Sequence, residues 1–225
     1  MIFWNSPEEY LKPNQLFVLL TAALEESKFI STCLIALSSC TDLNPLPPLR
    51  ERFIRLVNHI WDPITKSSSR FNSCILWLLR LQEANDFEYL NNVIKCITQN
   101  MEKVVKGCRI VVEETHALAA VWQAEAVSLA AKPHTPNSPK SRTIDLIRDL
   151  IQSIARLSLA IGEIEIYWAK RLFWARQFGG PFSATLEQVA VVAPDWDRFN
   201  TWSFARRIDF CRVTVQISKI EVPSV

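Results

Sequence analysis

Glycine is nearly missing from this chain: four residues in 225, at Gly107, Gly162, Gly179 and Gly180. A phosphate-cradling loop needs clustered glycines so that backbone N–H groups can close around an anion, and no such cluster is present. The scarcity suits a mostly helical chain, since glycine inside a helix costs about 1 kcal/mol against alanine. Nor does either sign of charge dominate. The net charge of +2 points to neither nucleic acid nor an anionic membrane as the main partner. No apolar run approaches the roughly 20 residues needed to span a bilayer; the longest early stretch, Leu16 to Leu24, stops at Glu25 and Glu26. The opening residues MIFWNSPEEY lack the basic start and apolar core of a secretory signal, so a cytoplasmic location is expected.

The six cysteines (Cys33, Cys40, Cys74, Cys96, Cys108 and Cys211) form no C-x-x-C pair and sit inside apolar segments. Reduced, buried thiols are therefore expected rather than a disulfide scaffold or a zinc site. Cys33 and Cys40, seven apart, share a helix face in a way that packing explains as well as ligation does.

What the chain does have is apolar residues at helical spacing. Hydrophobic residues make up 49% and charged residues 21%, the balance of a folded protein. From Phe87 through Ile97, Val104, Val111 and Leu118 to Trp122, apolar side chains recur at steps of three and four. That spacing predicts one helix over about 86–131, roughly 65 Å long or more. Gly107 is its weak point, a candidate hinge or close contact. The prolines at 133, 136 and 139 then force a connector. A second long helix is predicted from Ser141 or Thr143 to about Gln177, ended by Gly179-Gly180-Pro181. Its stripe of Ile144, Ile147, Ile151, Ile154, Ile161 and Trp168 is widened by Leu150, Leu157 and Ile164. A stripe of three positions per heptad needs more than one partner helix, so this is a bundle helix. Ser158 and Glu165 interrupt the stripe, and the register slips there.

Before the long pair, Ser6-Pro7-Glu8-Glu9 reads as a helix start interrupted by Pro13. Helices are predicted from Asn14 to about Ser38, from Leu49 to Trp61, and over about 63–84, with a Pro-rich connector between Thr41 and Pro48. After Pro181 the pattern changes. Leu186 to Val192 is short and apolar, and Cys211 to Val222 alternates Val213, Val215 and Ile217 with polar residues. Alternation of β-branched residues is a strand signal, and a small hairpin-like pairing of these two segments is expected.

Candidate chemistry is sparse. Glu113-x-x-His116 has the spacing of carboxylate-bridged di-iron bundles, but such sites need a second copy and two further glutamates. His59 and His134 have no acid or nucleophile at motif spacing. Glu163 and Glu165 are two apart on a helix and do not share a face. Trp196, Phe199, Trp202, Phe204 and Phe210 mix with Arg198, Arg206, Arg207 and Arg212. Such mixtures suit single strands or membrane interfaces, although aromatics anchored in the bundle explain this one better. A second aromatic group, Tyr167, Trp168, Arg171, Phe173 and Trp174, is expected to lie at the same end of the molecule. Thr135-Pro136 and Ser138-Pro139-Lys140 fit proline-directed phosphorylation, beside Lys140 and Arg142.

The expected fold is all-α: one elongated helical domain over 1–225, built on a long antiparallel helical hairpin (86–178). Shorter helices (7–84) pack on it, and an aromatic C-terminal segment (182–225) carries a small extended β element. No catalytic, cofactor-binding or metal residues are assigned, and no cofactor or nucleic acid is expected. The sequence favours a non-enzymatic helical bundle acting through protein association or self-assembly, the hairpin serving as a stalk. Its expected partner is another protein or a second copy of itself. The architecture resembles, in shape alone, the α-helical pore-forming toxins of the cytolysin A type. That resemblance implies a membrane-active alternative in which Leu16 to Leu24 or Leu186 to Val192 inserts into lipid. An enzyme with an unrecognised site is the remaining alternative.

Overall fold

The structure, a computed structural model, describes residues 12–39, 49–59, 61, 65, 69, 72–73, 87–132, 138–177 and 186–219. These form five helices and, among the described residues, no strand. We number them α1 (Asn14–Ser38), α2 (49–59, with further helical positions at 61, 65, 69, 72 and 73), α3 (Phe87–Ala131), α4 (Pro139–Gln177) and α5 (Leu186–Ser218). The expected N-terminal helix start at Ser6, most of the expected 63–84 helix, Cys40, Cys74, His134 and Thr135 lie outside the described residues. Of the cysteines expected to be buried, Cys33 and Cys108 are, whereas Cys96 and Cys211 are exposed.

α3 and α4 follow the expected spacing. Met101, Val104, Cys108, Val111, Leu118 and Trp122 are buried along α3, and Ile147, Leu150, Ile154, Leu157, Ile161 and Ile164 along α4. Burying each such side chain contributes about 1.5–3 kcal/mol. α3 runs through Gly107 without a break. Ser138 starts α4: its hydroxyl accepts the Ser141 N–H at 3.2 Å, and Pro139 takes the first helical position, where a missing N–H costs nothing. Arg109 Nε donates to Glu165 at 2.6 Å and Arg176 to Glu102 at 2.6 Å. As the α3 residue moves forward its α4 partner moves back.

α1 covers the other flank of α4. Leu16, Leu20, Ile30 and Leu34 are buried, and Glu26 ties the two helices together. Its carboxylate accepts from Ser153 Oγ at 2.5 Å and from Arg156 Nε at 2.7 Å. α2 joins α3 through Arg52 and Glu114, 3.3 Å apart. Exposed pairs of this kind add less than about 1 kcal/mol each, so they orient helices that apolar burial holds together.

The C-terminal reading is corrected. The segment expected to pair as strands is one helix from Leu186 to Ser218, and it passes through Pro194. Phe210, Val213 and Ile217 are buried at steps of three and four, whereas Val215 is exposed. A strand would have put Val213, Val215 and Ile217 on one face; the core selects the helical period instead. Pro194 is tolerated because it and Ala190, whose carbonyl loses its partner, both face solvent.

Part of each aromatic group meets inside the protein, while Phe173 and Phe204 are exposed. Trp168 of α4 lies 6.2 Å from Trp196 of α5, which meets Phe199 at 5.6 Å, and Phe199 meets Phe17 of α1 edge-on at 4.9 Å. Each such pair adds about 0.5–1.5 kcal/mol beyond its area. Tyr167 closes this layer. Its hydroxyl donates to the Lys12 carbonyl at 3.1 Å, and the Arg171 guanidinium stacks over its ring at 3.2 Å.

Burial pushes the Tyr167 phenol up to about 12, with the Arg171 charge pulling the other way. The folded state thus keeps a proton that an unfolded tyrosine releases near 10. Its contribution to stability is full below pH 10 and is lost as pH rises through 12. Denaturant melts should show this loss as a slope of up to about 1.4 kcal/mol per pH unit. Tyr167→Phe should remove that part of the slope, and an unchanged alkaline slope in the variant would contradict the assignment.

Candidate functional site

An open groove of about 350 Å³ runs between α3 and α4. Val112, Thr115, His116 and Ala119 supply one wall; Ala155, Ser158, Leu159, Gly162 and Ile166 belong to the other. The α4 side follows from the helical period. Positions 155, 159, 162 and 166 are spaced four, three and four, which places them on one face, turned away from the buried Leu157, Ile161 and Ile164. On this face Leu159 is 68% exposed and Ile166 44%. Between them Gly162 leaves a hollow: a Cβ built there meets nothing within 4 Å. The groove therefore alternates a projecting leucine with an empty position, the relief that receives side chains of another helix.

Its polar groups are few. Ser158 Oγ and His116 Nε2 lie 3.3 Å apart across the groove. A serine beside a histidine invites a nucleophile–base reading, but acyl transfer also needs free N–H donors to hold the oxyanion. Ser158 lies in the middle of α4, where backbone N–H groups are committed to carbonyls one turn back. The pair acts as a cross-helix hydrogen bond. Glu113, one turn from His116, is exposed, and no group of three or more His, Cys, Asp or Glu able to hold a metal occurs among the described residues. Of the two glutamates, Glu165 bonds Arg109 on the seam, and Glu163 lines the groove. The Cys108 thiol beneath the seam is pushed up to about 12, first by burial and then by the nearby Glu165 charge. It stays protonated and unreactive at neutral pH.

His59 belongs elsewhere. It lines a second cavity of about 520 Å³ between α2, α3 and α5, with Asn58, Trp61, Gly107, Arg207 and Cys211 among its neighbours. Trp61 stacks on Phe210 at 4.3 Å to form the apolar wall. Gly107, the expected hinge, is a place where α3 presents bare backbone to this cavity. His59 and Cys211 both line this cavity. Ser138, the described member of the two phosphorylation candidates, is engaged as the α4 cap.

No protein family, curated protein or solved structure matches this chain. What the groove can do rests on its own geometry.

Sequence reasoning singled out His116, and Ser158 as a break in the α4 stripe, but did not bring the two together, and it missed the groove. A signal was present: Leu159 and Ile166 repeat at seven outside the core stripe, with a glycine between. Gly162→Ala should raise stability by up to about 1 kcal/mol, since the helix gains and the added methyl meets no neighbour. A lower melting temperature in that variant would show that the position is closed in solution.

Proposed function

We propose that this chain is a non-enzymatic helical protein that works by association, receiving another α-helix along the groove between α3 and α4. The observation that supports this reading is the exposed Leu159 beside the Gly162 hollow. Water gains nothing from a leucine on an otherwise well-packed helix, and covering it would contribute about 1.5–3 kcal/mol. An amphipathic helix laid in the groove covers Leu159 and Ile166 together and fills the hollow with a side chain of its own. In this reading α3 and α4 form the elongated antiparallel hairpin of the fold and serve as the stalk. Their 45 and 39 residues give helices of about 68 and 59 Å.

The pore-forming alternative has less support. Of the two segments it would send into lipid, Leu16 to Leu24 packs Leu16, Leu20, Ala23 and Leu24 into the core and exposes Val18, and Leu186 to Val192 buries Val192 and exposes Val191. No helix among the described residues is long and apolar enough to cross a membrane. Insertion would require α1 to leave α4 and surrender the Glu26 bonds to Ser153 and Arg156.

A photo-crosslinking amino acid placed at position 159 and activated in cells tests the association reading. Discrete protein adducts are expected at 159 and not at Asp145, an exposed position near the start of the same helix. Adducts of the chain with itself and with another protein both fit the reading. No adduct at 159, or equal labelling at both positions, would overturn it.

A further inference from the structure

A second apolar face is left open on α5. Phe204, Ile208 and Val215 are 64%, 54% and 48% exposed. With the exposed Cys211 they follow one another at steps of four, three and four, one continuous stripe along the helix. The opposite side of α5 is already used: Phe199, Phe210, Val213 and Ile217 are buried in the core. So α5 is apolar on two faces, and the bundle covers only one of them.

The charges around the outer stripe indicate what fits it. Between 198 and 219 there are five basic residues (Arg198, Arg206, Arg207, Arg212 and Lys219) and one acid, Asp209, a local charge of +4. The whole chain carries +2. Over the full helix Leu186–Ser218 the four acids Glu187, Asp195, Asp197 and Asp209 balance the four arginines, so the positive charge is gathered in the C-terminal part of α5, around the stripe. Asp209 is turned inward, its side chain 19% exposed, and it accepts from both Arg206 and Arg212. Arg198 (3.5 Å from Asp195), Arg212 and Lys219 are exposed on one flank of the stripe and Arg207 on the other, while the exposed Asp197 lies in line with the stripe one heptad before Phe204. Long basic side chains beside an apolar stripe can keep their charged ends in the headgroup layer while their stems lie on the apolar surface.

We propose that this face of α5 docks on an anionic lipid bilayer. Phe204, Ile208 and Val215 enter the boundary between headgroups and acyl chains, and Arg198, Arg207, Arg212 and Lys219 meet the lipid phosphates. The helix lies in the plane of the surface and does not cross it. A single-stranded nucleic acid fits less well, because Phe204 is the one aromatic ring in a stripe otherwise aliphatic or thiol-bearing, and bases need rings to stack on. The inference is independent of the groove between α3 and α4.

Co-sedimentation of the full chain with vesicles tests it, comparing phosphatidylcholine alone with phosphatidylcholine containing phosphatidylserine. Binding is expected to be at least tenfold tighter to the anionic vesicles and to weaken in high salt, as screening shortens the reach of the charges. The double variant Phe204→Ser and Ile208→Ser changes two solvent-exposed positions, so it should keep its helical circular dichroism while losing at least tenfold in binding. Leu159→Ser, on the other open face, should bind vesicles like the wild type. Equal binding to both vesicle types, binding that survives the double substitution, or no sedimentation of the folded chain overturns the proposal. Retention by polyuridylate without retention by vesicles also overturns it and assigns the face to nucleic acid.

Discussion

The width of the apolar stripe on α4 is the constraint from which the rest of the architecture follows. Ile147, Leu150, Ile154, Leu157, Ile161 and Ile164 occupy too much of the helix for one neighbour to cover. α3 takes one flank and α1 the other, and each contact is fixed in register by a charged group that reaches across. Arg109 and Glu165 set the α3 side; Glu26, with Ser153 and Arg156, sets the α1 side. With both flanks occupied, a third sector of α4 remains, and it is there that Leu159, Gly162 and Ile166 are found. The open groove is thus a consequence of how the core is closed.

Aromatic side chains solve a related problem at the junction of α1, α4 and α5. Three helices that meet at an angle leave irregular space between them, and large rings fill it where aliphatic side chains would leave voids. Trp168, Trp196, Phe199 and Phe17 touch in sequence across that junction. Their polar companions are placed to match: the Tyr167 hydroxyl and the Arg171 guanidinium both donate to the Lys12 carbonyl, just before α1 begins. This explains part of the tryptophan richness of the chain without appeal to ligand binding. It also explains why the basic–aromatic segment in the sequence divides in two. Trp196, Phe199 and Phe210 face inward, while Phe204 and most of the arginines face out.

Long helices were legible because their periodicity is sustained over many turns. α1 has the limits read from spacing and prolines, and α3 and α4 lie within four residues of theirs. α5 was not legible, for two reasons. Pro194 is a strong stop signal that local sequence cannot excuse, because whether the orphaned carbonyl reaches water depends on which face is outside. The alternation of Val213, Val215 and Ile217 satisfies a strand and a two-faced helix equally, and only the core, by burying Phe210, Val213 and Ile217, decides between them. The groove escaped for a similar reason. An apolar residue outside the core stripe is ordinary on a protein surface, and Leu159 becomes informative only once Gly162 is seen to face open space. Glu113 and His116 show the reverse case, a recognisable spacing with nothing around it to make a metal site among the described residues.

The central claim is that α4 is covered on two sides and open on the third. Hydroxyl-radical footprinting at submicromolar concentration, read residue by residue by mass spectrometry, measures this directly. Leu159 and Ile166 should oxidise several-fold faster than Leu157, Ile161 and Ile164, their neighbours on the same helix. Equal rates across these five residues, or protection of Leu159 to the level of Ile161, would mean that α4 is enclosed on every side and would contradict the account.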